Sequence, residues 1–187
     1  MTKFISVDID GILNNYPICW LEFIKIQTAK SFTSTIEAKL NLGDDVYKEI
    51  KHLYRTSGYK SKLPVQPFAA LATKIIESKG YSIVITTSRP FDKYDGLEEL
   101  TKQWLINNSI TFHHLHKKQA DLLDKFPSII AHIDDEFDHT LIFLEKNITV
   151  FLTSDLSVVQ NSKFNQSPLI KQVNNILQFA EELPKND

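Results

Sequence analysis

The sequence predicts an α/β protein: a Rossmann-like parallel sheet with helices on both faces, and a small helical cap inserted after the first strand. Three observations carry this. Short β-rich runs alternate with stretches of helical periodicity. Each clear strand stops at polar residues. The stretch between the first two strands is roughly fifty residues longer than a strand-helix-strand crossover needs. Alternation of this kind implies right-handed crossovers, and in such sheets chemistry gathers at the carboxyl ends of the strands.

The elements follow in order. Phe4-Ile5-Ser6-Val7 is apolar and partly β-branched and ends at Asp8, Asp10 and Gly11, as a buried strand ends at a functional loop. Two helical stretches come next, Ile18 to Ala29 and Asp45 to Arg55, the second opened by the capping signal Gly43-Asp44-Asp45. Leu63-Pro64-Val65-Gln66-Pro67 marks a boundary, because each proline disfavours helix just before it. Pro67 to Lys79 reads as a helix with Phe68, Leu71, Ile75 and Ile76 inward and Gly80 at its end. Ser82 to Thr86 is a second buried strand. Leu97 to Ile106 is helical and leads to Thr111-Phe112-His113, followed by a short helix from Ala120 to Phe126. Ile129 to Ile133 is the next strand, Thr140 to Lys146 a helix, Ile148 to Leu152 a strand, and Leu169 to Leu183 a C-terminal helix with Ile170, Val173, Ile176, Leu177 and Phe179 inward. Residues 1–14 and 66–187 are thus expected to form the core, and residues 15–65 a cap over the strand ends.

Composition narrows the function. The chain has 187 residues, 42% hydrophobic and 24% charged, the size of one globular domain. Lys plus Arg is 21 against Asp plus Glu 23, with no basic block suited to a run of phosphates, so a nucleic acid polymer is not an expected partner. Cys19 is the single cysteine and can form no internal disulfide. No apolar run reaches the roughly 20 residues of a membrane span. The opening residues carry Asp8 and Asp10 where a signal peptide needs its apolar stretch. The expectation is a cytoplasmic protein that does not engage a membrane; the sequence leaves the oligomeric state open.

Polar groups follow the strands in a telling order. Asp8-Ile9-Asp10-Gly11 places two carboxylates two residues apart at a strand end, with a glycine that lets the backbone turn sharply. Thr86-Thr87-Ser88-Arg89-Pro90 ends the second strand in hydroxyls and a guanidinium, donors for phosphate or carboxylate oxygens. Lys117 and Lys118 precede the helix leading to the next strand, and either ammonium can reach a carboxylate cluster. Asp134-Asp135-Glu136 crowds three acids, which a hard divalent cation would relieve. Singly, each has an ordinary reading as a turn, a cap or a solvated loop.

With all four present in order, the chain resembles the haloacid dehalogenase superfamily of phosphohydrolases from Lys3 to about Leu152. The resemblance implies a core of that fold, with Asp8 as nucleophile forming an aspartyl-phosphate and Asp10 protonating the leaving oxygen and then activating water. It implies Mg²⁺ held by Asp8, the backbone carbonyl of Asp10 and Asp134, with Asp135 or Asp138 as a further acid. Thr87, Ser88 and Lys118, or Lys117 in its place, would bind the phosphoryl oxygens. The insertion, the Thr87-Ser88-Arg89-Pro90 run and Trp104 resemble the 5'(3')-deoxyribonucleotidase branch and its bacterial nucleotidases. The function so implied is a Mg²⁺-dependent phosphomonoesterase acting on a small phosphorylated metabolite, a nucleoside monophosphate first and a sugar phosphate as the alternative. A non-catalytic phosphate-binding module of the same fold is the rival, and Asp10 argues against it.

Tyr16, Trp20 and Tyr54 could stack on a base and Arg55 or Lys60 could meet phosphate or sugar, but the helical spacing of Trp20, Phe23 and Tyr54 suits a small cap core better. His113, His114 and His116 crowd a strand end without a second cluster to complete a zinc site. Cys19, beside Trp20, reads as a buried hydrophobe.

Overall fold

A computed structural model describes residues 2–118, 121–160 and 162–186. Six strands pair in parallel throughout: β1 (Phe4–Asp8), β2 (Ser82–Thr87), β3 (His114–Lys117), β4 (Ile129–Asp134), β5 (Thr149–Leu152) and β6 (Ile170–Gln172), in the spatial order β3-β2-β1-β4-β5-β6. The chain runs outward from β1 to β3, then returns to place β4 on the other side of β1. That reversal opens a crevice at the carboxyl ends of β1 and β4, where open α/β sheets bind ligands.

Side chains alternate across the sheet as a pleat requires. Ile5, Val7, Ile83, Ile85, Ala131, Ile133 and Phe151 meet α4 (Ala69–Ser78), α5 (Leu97–Asn107) and α8 (Ile176–Glu182) on one face. Val84, Val150 and Leu152 meet α6 (Leu122–Lys125) and α7 (Phe137–Leu144) on the other, joined by Ile129, which an irregularity in the β1–β4 register sets on the face opposite Ala131. Residues between β1 and α4 form α1 (Ile18–Thr28), α2 (Thr35–Leu42), α3 (Asp44–Thr56) and a 3-10 turn at Tyr59–Lys62. The two ends of this insertion are tied by an antiparallel bridge between Asn14 and Val65, and the Trp104 indole N–H donates to the Leu63 carbonyl at 2.8 Å.

Several elements differ from expectation. The C-terminal helix expected from Leu169 is instead β6 followed by α8, because residues 170–172 add a parallel strand to β5 and Asn175 caps the helix, its Oδ1 accepting the N–H groups of Leu177 and Gln178. The helix expected from Pro67 begins at Ala69; Phe68 takes a left-handed conformation before it and turns outward with Leu71, so Ala69, Ala72, Thr73 and Ile76 form the buried face. Helix α7 starts at Phe137 rather than Thr140, and β3 lies one residue beyond Thr111-Phe112-His113. The short helix runs Leu122–Lys125, and Ala120 lies outside the described residues. Helix α2 was not expected at all, although Ser34 and Glu37 form a reciprocal cap: Glu37 N–H donates to Ser34 Oγ at 3.1 Å and Thr33 N–H to Glu37 Oε2 at 2.7 Å.

Candidate active site

Asp8 is the last residue of β1 and Asp134 the last of β4, so parallel pairing of neighbouring strands places both carboxylates at the crevice. Both are buried. Lys118 follows β3 and is held by its own N–H donating to the Thr87 carbonyl at 2.8 Å. Its ammonium bridges the two acids, 2.8 Å from Asp8 Oδ1 and in contact with Asp134 Oδ2. Of the two lysines open from sequence, Lys118 is therefore the one in the cluster; Lys117 pairs with exposed Asp92 at 2.6 Å. Ligand atoms of Asp8, Asp134 and Asp135 all lie within 4.8 Å of one another, while Asp138 is exposed on α7.

Charge within this cluster is unbalanced. Three carboxylates face one ammonium, leaving two negative charges, and burial raises their cost. Burial, opposed by Lys118 and reinforced by Asp134, pushes the Asp8 carboxyl well above its usual range. Burial and the charges of Asp134 and Glu136 push Asp135 up to about 7. Asp134 goes the other way: burial acts to raise it, but hydrogen bonds from His132 and His139 and the Lys118 charge hold it well below the usual carboxylate range. Three hard oxygen donors with surplus negative charge fit a divalent cation of the Mg²⁺ kind.

His132 stands two residues before Asp134 on the same strand, hence on the same face. Its Nε2 lies 2.9 Å from Asp134 Oδ2 and its Nδ1 2.9 Å from Ser6 Oγ, which lies 3.2 Å from Thr86 Oγ1. Burial holds the imidazole below its usual pKa, so the neutral ring donates from Nε2 and accepts at Nδ1. This chain orients the Asp134 carboxylate from behind, and the i, i+2 spacing was the signal that sequence reading passed over.

Asp10 lies apart from the acid cluster. Arg89 Nε and Nη2 donate to Asp10 Oδ2 and Oδ1 at 3.1 and 2.7 Å, Asn14 Nδ2 donates to Oδ1 at 2.7 Å, and Lys60 Nζ stands 3.5 Å from Oδ2. Burial acts to raise the carboxyl, but Arg89, Lys60 and these hydrogen bonds hold it far below the usual range. Arg89 and Asn14, neither assigned to Asp10 from sequence, thus act on it directly. Gly11 turns the chain with φ +96°, and a Cβ there would run into the Asp135 carboxylate.

Above the strand ends lies a cavity of about 240 Å³, with Asp8, Asp10, Asp135 and Ser88 on the sheet side and Tyr16, Lys51, Arg55 and Lys60 on the side of the insertion. Ser88 is exposed; Thr87 is buried, its Oγ1 accepting the Arg89 N–H at 3.2 Å. Trp20 and Tyr54 border the cavity but are almost fully buried, with Trp20 Nε1–H donating to Tyr47 Oη at 3.1 Å and both rings packed with Phe23. They form the core of the insertion. Cys19 is buried, 3.4 Å from Tyr54 Oη. The three histidines near β3 are dispersed: His113 Nδ1 accepts the Ile83 N–H, His114 packs edge-on to Phe4 and tilted against Phe126, and His116 Nδ1 meets the Lys117 carbonyl.

A six-stranded parallel sheet with helices on both faces is the fold shared by haloacid dehalogenase-like hydrolases. A hydrolase so described from Streptococcus pneumoniae is 15% identical, with a TM-score of 0.64 over 96% of this chain and 97% of that one. CbbY from Rhodobacter sphaeroides, solved with phosphate, is 10% identical with a TM-score of 0.60 over 96% of each chain. D,D-heptose 1,7-bisphosphate phosphatase from B. bronchiseptica, complexed with magnesium and phosphate, is 8% identical with a TM-score of 0.58 over 97% of each. At these identities the likeness is one of fold. No family model matches the sequence, and no curated protein matches it. Among the described residues, no helix is long and apolar enough to cross a membrane.

Proposed function

We propose that the protein is a Mg²⁺-dependent phosphomonoesterase in which Asp8 is the nucleophile. The observation that carries this reading is the buried Asp8 carboxylate at the switch point, held by Lys118 beside Asp134 and Asp135 and open to a cavity beneath the insertion. The similar structures solved with phosphate or magnesium support it. Residues 15–65 serve as the cap and residues 1–14 and 66–187 as the core.

An Asp8 oxygen attacks phosphorus, the ester P–O bond breaks, and the leaving oxygen takes a proton; water then cleaves the aspartyl-phosphate to release phosphate and restore Asp8. Mg²⁺, held by Asp8, Asp134, Asp135 and the Asp10 backbone carbonyl, would screen the repulsion between carboxylate and phosphate. Lys118, the Thr87 hydroxyl and Ser88 hold phosphoryl oxygens. Asp10 is the acid-base group. Arg89 and Lys60 keep it ionised at rest, the form needed to activate water; a phosphate dianion that draws on those same cations raises its affinity for the proton it gives the leaving group.

Between the two substrate readings, the closed packing of Trp20 and Tyr54 favours a small phosphorylated metabolite over a nucleoside monophosphate, for which half-buried Tyr16 is the remaining ring face. The test is phosphate release with Mg²⁺ across both substrate classes. Asp8→Asn should lower the rate by about 10³-fold or more and Asp10→Asn by about 10²-fold. Equal rates for the parent and Asp8→Asn would overturn the reading in favour of a binding module.

A further inference from the structure

The cavity has cations on both walls, and two of the three on the insertion side pair with no acid among the described residues. Lys60 and Arg89 are paired with Asp10, and Lys118 with Asp8 and Asp134. Lys51 and Arg55 also line the cavity, one helical turn apart on α3, yet neither forms an ion pair among the described residues. The carboxylate nearest in charge to Lys51 is Glu136, itself 3.5 Å from His139.

Two like charges at i, i+4 repel, and more so in a half-closed space. Burial and the neighbouring Arg55 accordingly push the Lys51 pKa down. Both side chains are nevertheless held in place. Arg55 Nη1 donates to Tyr94 Oη at 3.2 Å, and its guanidinium carbon lies 5.2 Å from the Tyr94 ring centroid, which steadies it across the gap to the loop after β2. The guanidinium keeps further N–H donors free of Tyr94. Lys51 Nζ lies 5.8 Å from the Tyr47 ring. The Trp20 and Tyr54 faces that would suit a base are turned into the insertion's own core, which leaves Tyr16 alone for stacking, so this wall offers chiefly charge.

We propose that Lys51 and Arg55 form a second anion subsite, and that the substrate is a small phosphomonoester bearing a further phosphate or carboxylate at the end away from the ester that Asp8 attacks. The inference rests on the phosphomonoesterase reading and narrows it: an incoming anion completes the pairing that α3 lacks, and selects against substrates with one charged end.

Matched pairs test this: fructose 1,6-bisphosphate against fructose 6-phosphate, and 3-phosphoglycerate against glycerol 3-phosphate, with p-nitrophenyl phosphate as a general substrate. In the parent with Mg²⁺, kcat/KM should favour the doubly anionic member of at least one pair by about 10-fold or more, chiefly through KM. Which pair responds tells phosphate from carboxylate. Lys51→Met and Arg55→Met should each shrink that preference by about 3- to 10-fold, and the double variant should remove it; Arg55→Lys should keep part of it. Turnover of p-nitrophenyl phosphate with no preference in either pair, or a preference the substitutions leave intact, overturns the subsite while the phosphatase reading stands. No turnover of any compound defeats that reading instead. The subsite is then decided by calorimetric binding of the same pairs to Asp8→Asn with Mg²⁺, where equal affinities overturn it. Circular dichroism of each variant identifies any loss of fold.

Discussion

Asp8 and Asp10 are two residues apart and experience opposite fields. One is buried among acids with a single ammonium; the other is clasped by a guanidinium, an amide and a second ammonium. Their affinities for protons are driven apart accordingly, Asp8 upward and Asp10 downward; for a nucleophile at Asp8 and an acid-base group at Asp10 both shifts must reverse, as a cation on Asp8 and a phosphate drawing on Arg89 and Lys60 would make them do. The clasp also makes Arg89 a structural residue. Its side chain is 2% exposed and makes a further bond from Nη1 to Thr101 Oγ1 at 3.0 Å. Arg89→Met removes one partner of an ion pair whose other member is largely enclosed, and should cost about 2–4 kcal/mol in urea unfolding. A loss within a few tenths of a kcal/mol would show that the clasp contributes nothing to stability.

Elements place these residues through their ends. The loop after β1 and the loop after β4 touch at Gly11 and Asp135, with no room for a side chain between them. Gly11→Ala must therefore displace Asp135 as well as strain a backbone at φ +96°, and should lower stability by about 1–3 kcal/mol. If Asp135 holds the proposed cation, the substitution should also diminish the rise in Tm expected of the parent with Mg²⁺, which thermal unfolding with and without Mg²⁺ would reveal; an undiminished rise would separate Asp135 from the metal. At this scale sequence pattern was a partial guide. The apolar spacing in residues 169–183 suits a helix, yet β5 offers an open parallel edge, and ladder bonds to Ile170–Gln172 outweigh a periodicity that only the second half uses. In α4, Phe68 and Leu71 face out and Ala69, Ala72, Thr73 and Ile76 face in, because the helix packs its small-residue side closely against α8.

For the molecule as a whole, the proposed metal site would link proton binding to metal binding. Without a cation, burial and the charges of Asp134 and Glu136 push the Asp135 carboxyl up to about 7, above the 3.8 of an unperturbed aspartate. Between those values the folded state holds the proton that the unfolded state has released. Stability from this group is thus full below about pH 4 and falls as pH rises toward 7. Asp135→Asn removes that slope, so its stability relative to the parent should grow between pH 4 and 7. Mg²⁺ favours the ionised acid and should raise the parent's Tm more at pH 7.5 than at pH 5. Equal gains at both, measured by thermal unfolding, would dissociate the cation from these carboxylates.

What the sequence by itself determined was the order of things: parallel strands alternating with helices, the surplus segment after the first strand, the polar residues at strand ends, Asp8, Asp10, Thr87 and Asp134, and a lysine at 117 or 118. These are legible because strand period and strand termination are local properties of the chain. Only the tertiary structure decided which polar groups meet. It chose Lys118 over Lys117 and Asp135 over Asp138 for the acid cluster, set Arg89 and Asn14 on Asp10, put His132 behind Asp134, and closed Trp20 and Tyr54 into the insertion's core while leaving Lys51 and Arg55 facing the cavity. The pairings of Arg89 with Asp10 and of Lys118 with Asp8 join residues many tens of positions apart, and even the near ones, Asn14 with Asp10 and His132 with Asp134, take their energies from burial and distance, which no local pattern encodes.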